Sequence, residues 1–190
     1  MQAKKGFTLV EVLVAVAIFS MMISIFTGFL ASSISSQQKA LSSQELMGSV
    51  SYNLEYMSRA IRMAKKDHAG ACLTTAGAKY NYETNVDRDR IRFLNYLDKC
   101  QEFFLDGDVL KERKSADSTA ANFGTALPLT PSALSIISFK LGPSDSWGQD
   151  QLTQPRVTFS LLMEGSDGGD DPVSMNIQTT ISQRNLNRIY

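Results

Sequence analysis

The spacing of apolar positions changes character along the chain. From Phe7 to Leu30 the sequence reads FTLVEVLVAVAIFSMMISIFTGFL, apolar at 18 of 24 positions and charged only at Glu11. As a helix this segment would extend about 36 Å, more than a hydrocarbon core of about 30 Å requires. A helix apolar on every side belongs in lipid or inside a bundle of helices. A Ser- and Gln-rich stretch follows, Ser32 to Gln44, with Lys39 as its single charge. Beyond it Leu46, Val50, Leu54, Met57, Ile61 and Ala64 recur at steps of four and three, which predicts one apolar stripe on an amphipathic helix. Pro128 is the first proline, and Gly28 and Gly48 are the only glycines between Phe7 and Ala69. One helix over 7–69, about 95 Å long, is therefore expected. Lys65, Lys66 and His68 would complement its C-terminal dipole, and Gly70 stands where a terminating glycine belongs.

From Cys72 the period becomes two. Val157, Phe159, Leu161 and Met163 alternate with mostly polar neighbours, as do Met175, Ile177, Thr179 and Ile181. Such segments predict half-buried strands. Leu134 to Leu141 and Ile91 to Tyr96 read the same way. Gln101 to Leu105 and Asp108 to Glu112 flank Asp106-Gly107, a type I′ hairpin signal. Ser115 to Pro131, Gly142 to Pro155 and Gly165 to Pro172 read as loops. The fold class expected is α+β: a long N-terminal α-helix, its first half in the membrane, packed like the stick of a lollipop against a C-terminal antiparallel β-sheet.

Charge and chemistry narrow the function. Lys+Arg and Asp+Glu are 19 each among 190 residues, so net charge is zero, which argues against direct nucleic-acid binding. One His and two Cys leave little material for a metal centre or a His-dependent triad, and no phosphate-binding loop, H-E-x-x-H or G-x-S-x-G occurs. Neither an enzyme nor a cofactor is expected. Lys4 and Lys5 precede the apolar segment, so the N-terminus faces the cytoplasm and everything after Leu30 lies across the membrane. There Cys72 and Cys100 can form a disulfide closing 29 residues, worth roughly 3–4 kcal/mol in a loop-entropy model; the alternative is two separate buried thiols. Asp167, Asp170 and Asp171 sit in a Gly-rich loop, a weak calcium candidate against which a solvated turn is the favoured reading. Trp147 reads as a cap on the sheet edge or a contact anchor, His68 as a dipole partner, and Arg59, Arg62 and Lys66 as a solvated helix face.

The apolar segment is longer than a signal peptide's core, and a plain signal anchor leaves the carboxylate of Glu11 unexplained. Lys5-Gly6-Phe7-Thr8-Leu9-Val10-Glu11 resembles the processing motif of type IV prepilins and type II secretion pseudopilins. The resemblance implies cleavage after Gly6 and methylation of the new terminal amine on Phe7, both by a prepilin peptidase/N-methyltransferase. It implies a leader over 1–6, a membrane or filament-core helix over 7–30, its amphipathic continuation over 31–69 and an extracytoplasmic sheet domain over 70–190. Glu11 becomes the fifth mature residue. The amine created on Phe7 is protonated at neutral pH. With Glu11 pointing away from its own terminus, a neighbouring subunit's amine is the expected mate. Ser58 to Ala64 also looks like the helix of minor pilins and J-type pseudopilins, and Gly28 replaces the proline of many major pilins.

The implied protein is a structural, minor subunit of a pilus or pseudopilus. It waits in the inner membrane, meets an assembly platform there, and joins other subunits in an open helical filament in the periplasm or outside the cell. The rival reading is a single-pass anchored binding domain or enzyme that never polymerises.

Overall fold

The structure, a computed structural model, describes residues 6–73, 81–132, 134–142, 147, 154–165 and 172–184. The chain divides into two compact units, residues 1–42 and 43–190.

The first unit is helical. Helix α1 covers Leu9–Arg62, 54 residues, and continues without interruption through Gly28 and the Ser/Gln-rich stretch. Its apolar side chains from Leu9 to Leu30 are exposed, and it is the one helix among the described residues long and apolar enough to cross a membrane. The hydroxyls within this stretch are satisfied by the helix itself. Ser20 donates to the Val16 carbonyl at 2.8 Å, Ser24 to Ser20 at 3.0 Å and Thr27 to Ile23 at 2.9 Å. Polar residues in the span thus bring no unpaired hydroxyl into apolar surroundings.

In the second unit α1 buries Leu46, Val50, Asn53, Met57 and Ile61. The expected stripe holds except at one step: Asn53 takes the buried position and Leu54 is half-buried. Eight strands follow: β1 (Glu83–Thr84), β2 (Arg90–Leu94), β3 (Cys100–Asp106), β4 (Val109–Lys114), β5 (Leu127–Pro128), β6 (Leu134–Leu141), β7 (Arg156–Gly165) and β8 (Ser174–Ser182). They form two antiparallel sheets, β1-β2-β3-β4-β5 and β6-β7-β8, where one sheet was expected. Pro128 and Pro131, which lack N–H donors, punctuate the passage between them. The N–H groups of Ile136 and Leu141 in β6 instead reach the carbonyls of Asp108 and Arg88 in turns of the first sheet, each at 2.8 Å.

Alternation decides the faces. In the first sheet Ile91, Phe93, Phe103 and Leu110 point into the core, where Tyr56 of α1 meets Phe103 edge-on at 6.0 Å. In the second, Val157, Phe159, Leu161 and Met163 face the same core, as their spacing predicts. The hairpin signal is displaced by one position. Asp106 pairs with Val109, so the turn is Gly107-Asp108; φ is +65° at Gly107, and Asp108 is not among the residues with positive φ. That combination is a type II′ turn, for which glycine at the first position is the requirement.

The helix ends at Arg62, seven residues earlier than expected, because tertiary contacts take its last carbonyls. Tyr82 Oη–H donates to Ile61 O at 2.9 Å and Arg184 N–H to Arg62 O at 2.8 Å, while Gln183 Nε2 reaches Ala64 O, just past the helix, at 2.6 Å. Lys65 then enters a bridge with Leu94, its N–H donating at 2.8 Å to the Leu94 carbonyl. Lys65, Lys66 and His68 therefore lie beyond the helix, and His68 is exposed rather than a dipole partner. Gly70 does adopt a positive φ of +65°, but in a turn organised by buried Asp67, which accepts from the N–H groups of Gly70, Cys72 and Leu73.

A polar network ties helix to sheet. Tyr56 Oη–H donates to Glu112 Oε1 at 2.5 Å, Gln101 Nε2 to the same oxygen at 2.6 Å, and Lys114 Nζ to Tyr56 Oη at 2.7 Å. Burial and the bond to Glu112 push the Tyr56 phenol up. Burial opposes charge on Lys114, but the Tyr56 bond and the Glu112 carboxylate outweigh it and raise its pKa as well. Both groups are held in their protonated forms. Their contribution to stability is present below the unfolded values of about 10 and is lost as pH rises through the higher folded values. The thermal midpoint should therefore fall above about pH 10, and Tyr56→Phe should make that fall shallower; calorimetry of the detergent-solubilised chain checks both.

Candidate processing and assembly site

Residues 6–8 precede the helix. Gly6 and Phe7 are exposed and non-helical. The Gly6–Phe7 peptide bond thus lies outside the helical hydrogen-bond ladder, where an enzyme can reach it. A methyl group added at Gly6 would meet no atom within 4 Å, and its φ is not positive. The described fold therefore makes no demand for glycine at this position.

Thr8 is the pivot. Its carbonyl accepts the first helical bond, from Val12 N–H at 3.3 Å. Its hydroxyl oxygen accepts from Glu11 N–H at 3.3 Å, and its own N–H donates to Glu11 Oε2 at 2.8 Å. This reciprocal exchange is a capping box, which satisfies donors that a helix start otherwise leaves orphaned. The Thr8 hydroxyl adds a further bond to Oε2 at 2.9 Å. The carboxylate also sits at the positive end of the helix dipole.

This geometry corrects one expectation. Glu11 does not point away from its own terminus; it folds back onto Thr8, because the N–H of Thr8 is the nearest unsatisfied donor. The capping box uses Oε2 alone, and among the described residues no bond is made by Oε1. The signature was present in the sequence as Thr8-x-x-Glu11 directly before an apolar run, a pattern whose meaning depends on the helix starting at Leu9.

The other candidate residues lie apart from this site. Cys72 and Cys100 are joined as a disulfide, with Cα atoms 5.4 Å apart. Both are buried, in a small cluster with Leu73 and Leu94. The bridge ties the loop after the helix to the start of β3. Asp167, Asp170 and Asp171 lie outside the described residues. Trp147 is no contact anchor: it is 1 % exposed and packs edge-on against Tyr82 at 6.4 Å, inside the core. Its loop composition concealed this, since a single aromatic in a polar stretch carries no periodicity. The alternating charges of β2 to β4 also went unread as a cluster. Buried Glu102 receives Arg92 Nε at 2.9 Å and Arg113 Nε at 2.6 Å, with Arg90 at 3.8 Å. Only the strand register brings these residues together. Among the described residues no group of three His, Cys, Asp or Glu is placed to hold a metal ion.

The capping box makes a local prediction. Thr8→Ala should destabilise the first turn by about 1 kcal/mol. Amide hydrogen exchange in detergent micelles should then show faster exchange over the first helical turn and unchanged protection around Ile61.

Residues 1–27 match the family described as the prokaryotic N-terminal methylation motif. No curated protein matches the chain, and no solved structure does. The matched segment contains the exposed Gly6–Phe7 bond, the capping box and most of the apolar span. The chain thus carries a prokaryotic N-terminal methylation motif, the kind of motif found in type IV pilin and pseudopilin precursors, ahead of one long helix and antiparallel sheets.

Proposed function

We propose that the precursor is cut between Gly6 and Phe7 by a prepilin peptidase, methylated on the Phe7 amine, and assembled through its apolar helix as a minor subunit of a type IV pilus or type II secretion pseudopilus. The observation that carries this reading is the arrangement of residues 6–11. An exposed, non-helical Gly6–Phe7 bond stands immediately before a capped helix start whose Glu11 is the sole charge from Phe7 to Leu30. Gly6 is unconstrained by the described fold, so its need for a minimal side chain is best assigned to an external enzyme that grips the backbone.

Cleavage would leave a protonated amine on Phe7, one residue before Thr8. Within a bundle of apolar helices that cation requires an anion. Glu11 Oε1 is the available acceptor, while Oε2 stays with Thr8. An amine from an adjacent subunit could thus engage Glu11 without dismantling the capping box. Such a pair fixes the axial register between neighbours more than it adds stability. The apolar side chains around it would exchange lipid for helix contacts, a step with little net change in hydrophobic burial. The partners on this reading are the peptidase/N-methyltransferase, the inner-membrane assembly platform, the lipid bilayer and other pilin or pseudopilin subunits.

Mass spectrometry of the N-terminal peptide from native membranes should find a chain beginning at Phe7 with one added methyl group. An intact Met1 or Gln2 terminus as the stable form would mark an unprocessed anchor and overturn the reading. A second experiment separates capping from pairing. Thr8→Val removes the hydroxyl but leaves the N–H, whereas Glu11→Ala removes the acceptor for both roles. Loss of one partner of a buried pair costs about 3–5 kcal/mol, so Glu11→Ala should lower filament incorporation by more than tenfold and Thr8→Val far less. Equal effects in an immunoblot of sheared filaments would reduce Glu11 to a capping residue.

A further inference from the structure

Arg59 and Arg62, exposed as the solvated-face reading expects, also line a groove. A concavity of about 730 Å³ runs between the last turns of α1 and the β2–β3 turn. Arg59 and Arg62 line it from the helix, Tyr96, Leu97 and Lys99 from the turn, and Arg184 from the segment after β8. Its size is that of a ligand site rather than a surface dimple.

The charges in it do not balance. Glu55 is the only acidic lining residue, and it pairs with Arg59 at 2.9 Å. Lys114, which also lines the groove, is held by Glu112 at 3.2 Å and by Tyr56. Lys65, close by, is held by Asp98 at 2.8 Å. Arg62, Lys99 and Arg184 have no ion pair among the described residues. Three uncompensated cations therefore share one concavity in a chain of zero net charge. Like charges brought together in this way repel, and an anion relieves the repulsion.

The walls identify the kind of anion. Tyr96 is 56 % exposed and Leu97 57 %, and both line the same concavity as the cations. A ligand that satisfies all of them carries carboxylates and apolar groups a few ångströms apart. A nucleic acid fits poorly, because three cations in one groove do not form the extended basic track that a phosphate backbone needs. A lipid surface fits poorly too, because these cations line a concavity rather than a flat face.

We propose that this groove docks an acidic, partly apolar peptide segment of a partner protein, with its carboxylates on Arg62, Lys99 and Arg184 and its apolar side chains on Tyr96 and Leu97. The proposal goes beyond the filament reading and does not depend on cleavage at Gly6 or on polymerisation.

The test uses the full chain in zwitterionic detergent micelles and a short fluorescein-labelled peptide of alternating glutamate and leucine. A lysine/leucine peptide and empty micelles serve as controls. Fluorescence anisotropy should show saturable binding of the acidic peptide that weakens with salt. The triple variant Arg62→Glu, Lys99→Glu, Arg184→Glu should lose at least about tenfold in affinity, and Arg88→Glu, an exposed cation on another turn, should change it by less than about twofold. The triple variant should also gain affinity for the lysine/leucine peptide, a reversal that an unfolded protein would not show. Binding no tighter than that of the control peptide, or binding that survives the triple reversal, overturns the proposal. So does transfer of the same charge dependence to oligothymidylate or to phosphatidylglycerol vesicles with no response to the acidic peptide.

Discussion

An apolar helix surface exposed on every side is the constraint from which the rest of the molecule follows. Phe7, Leu9, Leu13, Phe19, Ile25 and Phe29 all stand open, and no polar face opposes them. Such a surface is not stable in water and calls for lipid or other helices around it. In that setting each polar group matters more than it would on a soluble helix. Ser20, Ser24 and Thr27 turn their hydroxyls onto the preceding turn, and Glu11 turns its carboxylate onto Thr8. Local hydrogen bonds thus let the span carry polar residues without paying for them in exposed dipoles.

In the second unit the governing event is the termination of α1. A helix leaves four carbonyls without partners at its C-terminal end. Here Tyr82, Gln183 and Arg184 supply donors, from parts of the chain far apart in sequence. Gln183 is in turn held by Asn81, whose Nδ2 donates to Gln183 Oε1 at 2.6 Å. The helix end is therefore fixed by the same residues that position β1 and close β8. The Tyr56–Glu112–Gln101 network performs the equivalent service one turn earlier. Sheet register and helix position become one problem: a slip of β3 against β4 would take Arg113 from Glu102 and Gln101 from Glu112 together.

The sequence was most informative where one physical effect dominated. Alternation in β7 and β8 marked the buried residues, because a half-buried strand has only two faces to choose between. The apolar span was legible for the same reason, whereas the motif within residues 1–27 was legible only by resemblance. Legibility failed where local and tertiary effects competed. Lys65 to Gly70 look like a helix end, yet the tertiary donors stop the helix at Arg62. Asp106-Gly107 looks like the centre of a turn, yet pairing of Asp106 with Val109 moves the turn on by one residue. Trp147, Glu102 and the groove beside Arg62 depend on contacts between distant segments, which no local pattern encodes.

The two units hold their polar groups in different ways, and the difference bears on specificity. Apolar burial is non-directional: it draws helices together but does not choose among partners of similar hydrophobicity. Choice requires groups whose satisfaction depends on position. In the first unit Glu11 supplies one such group, with one oxygen engaged and the other free of partners among the described residues. In the second, most charges are already spent inside the fold: Glu102 on its arginines, Lys65 on Asp98, Lys111 on Asp106. In the groove, Arg62, Lys99 and Arg184 line one concavity with no ion pair among the described residues, and an anion placed there would gain from all three. On the proposed reading, discrimination between partners resides in these few charges, while the long apolar helix supplies affinity without preference.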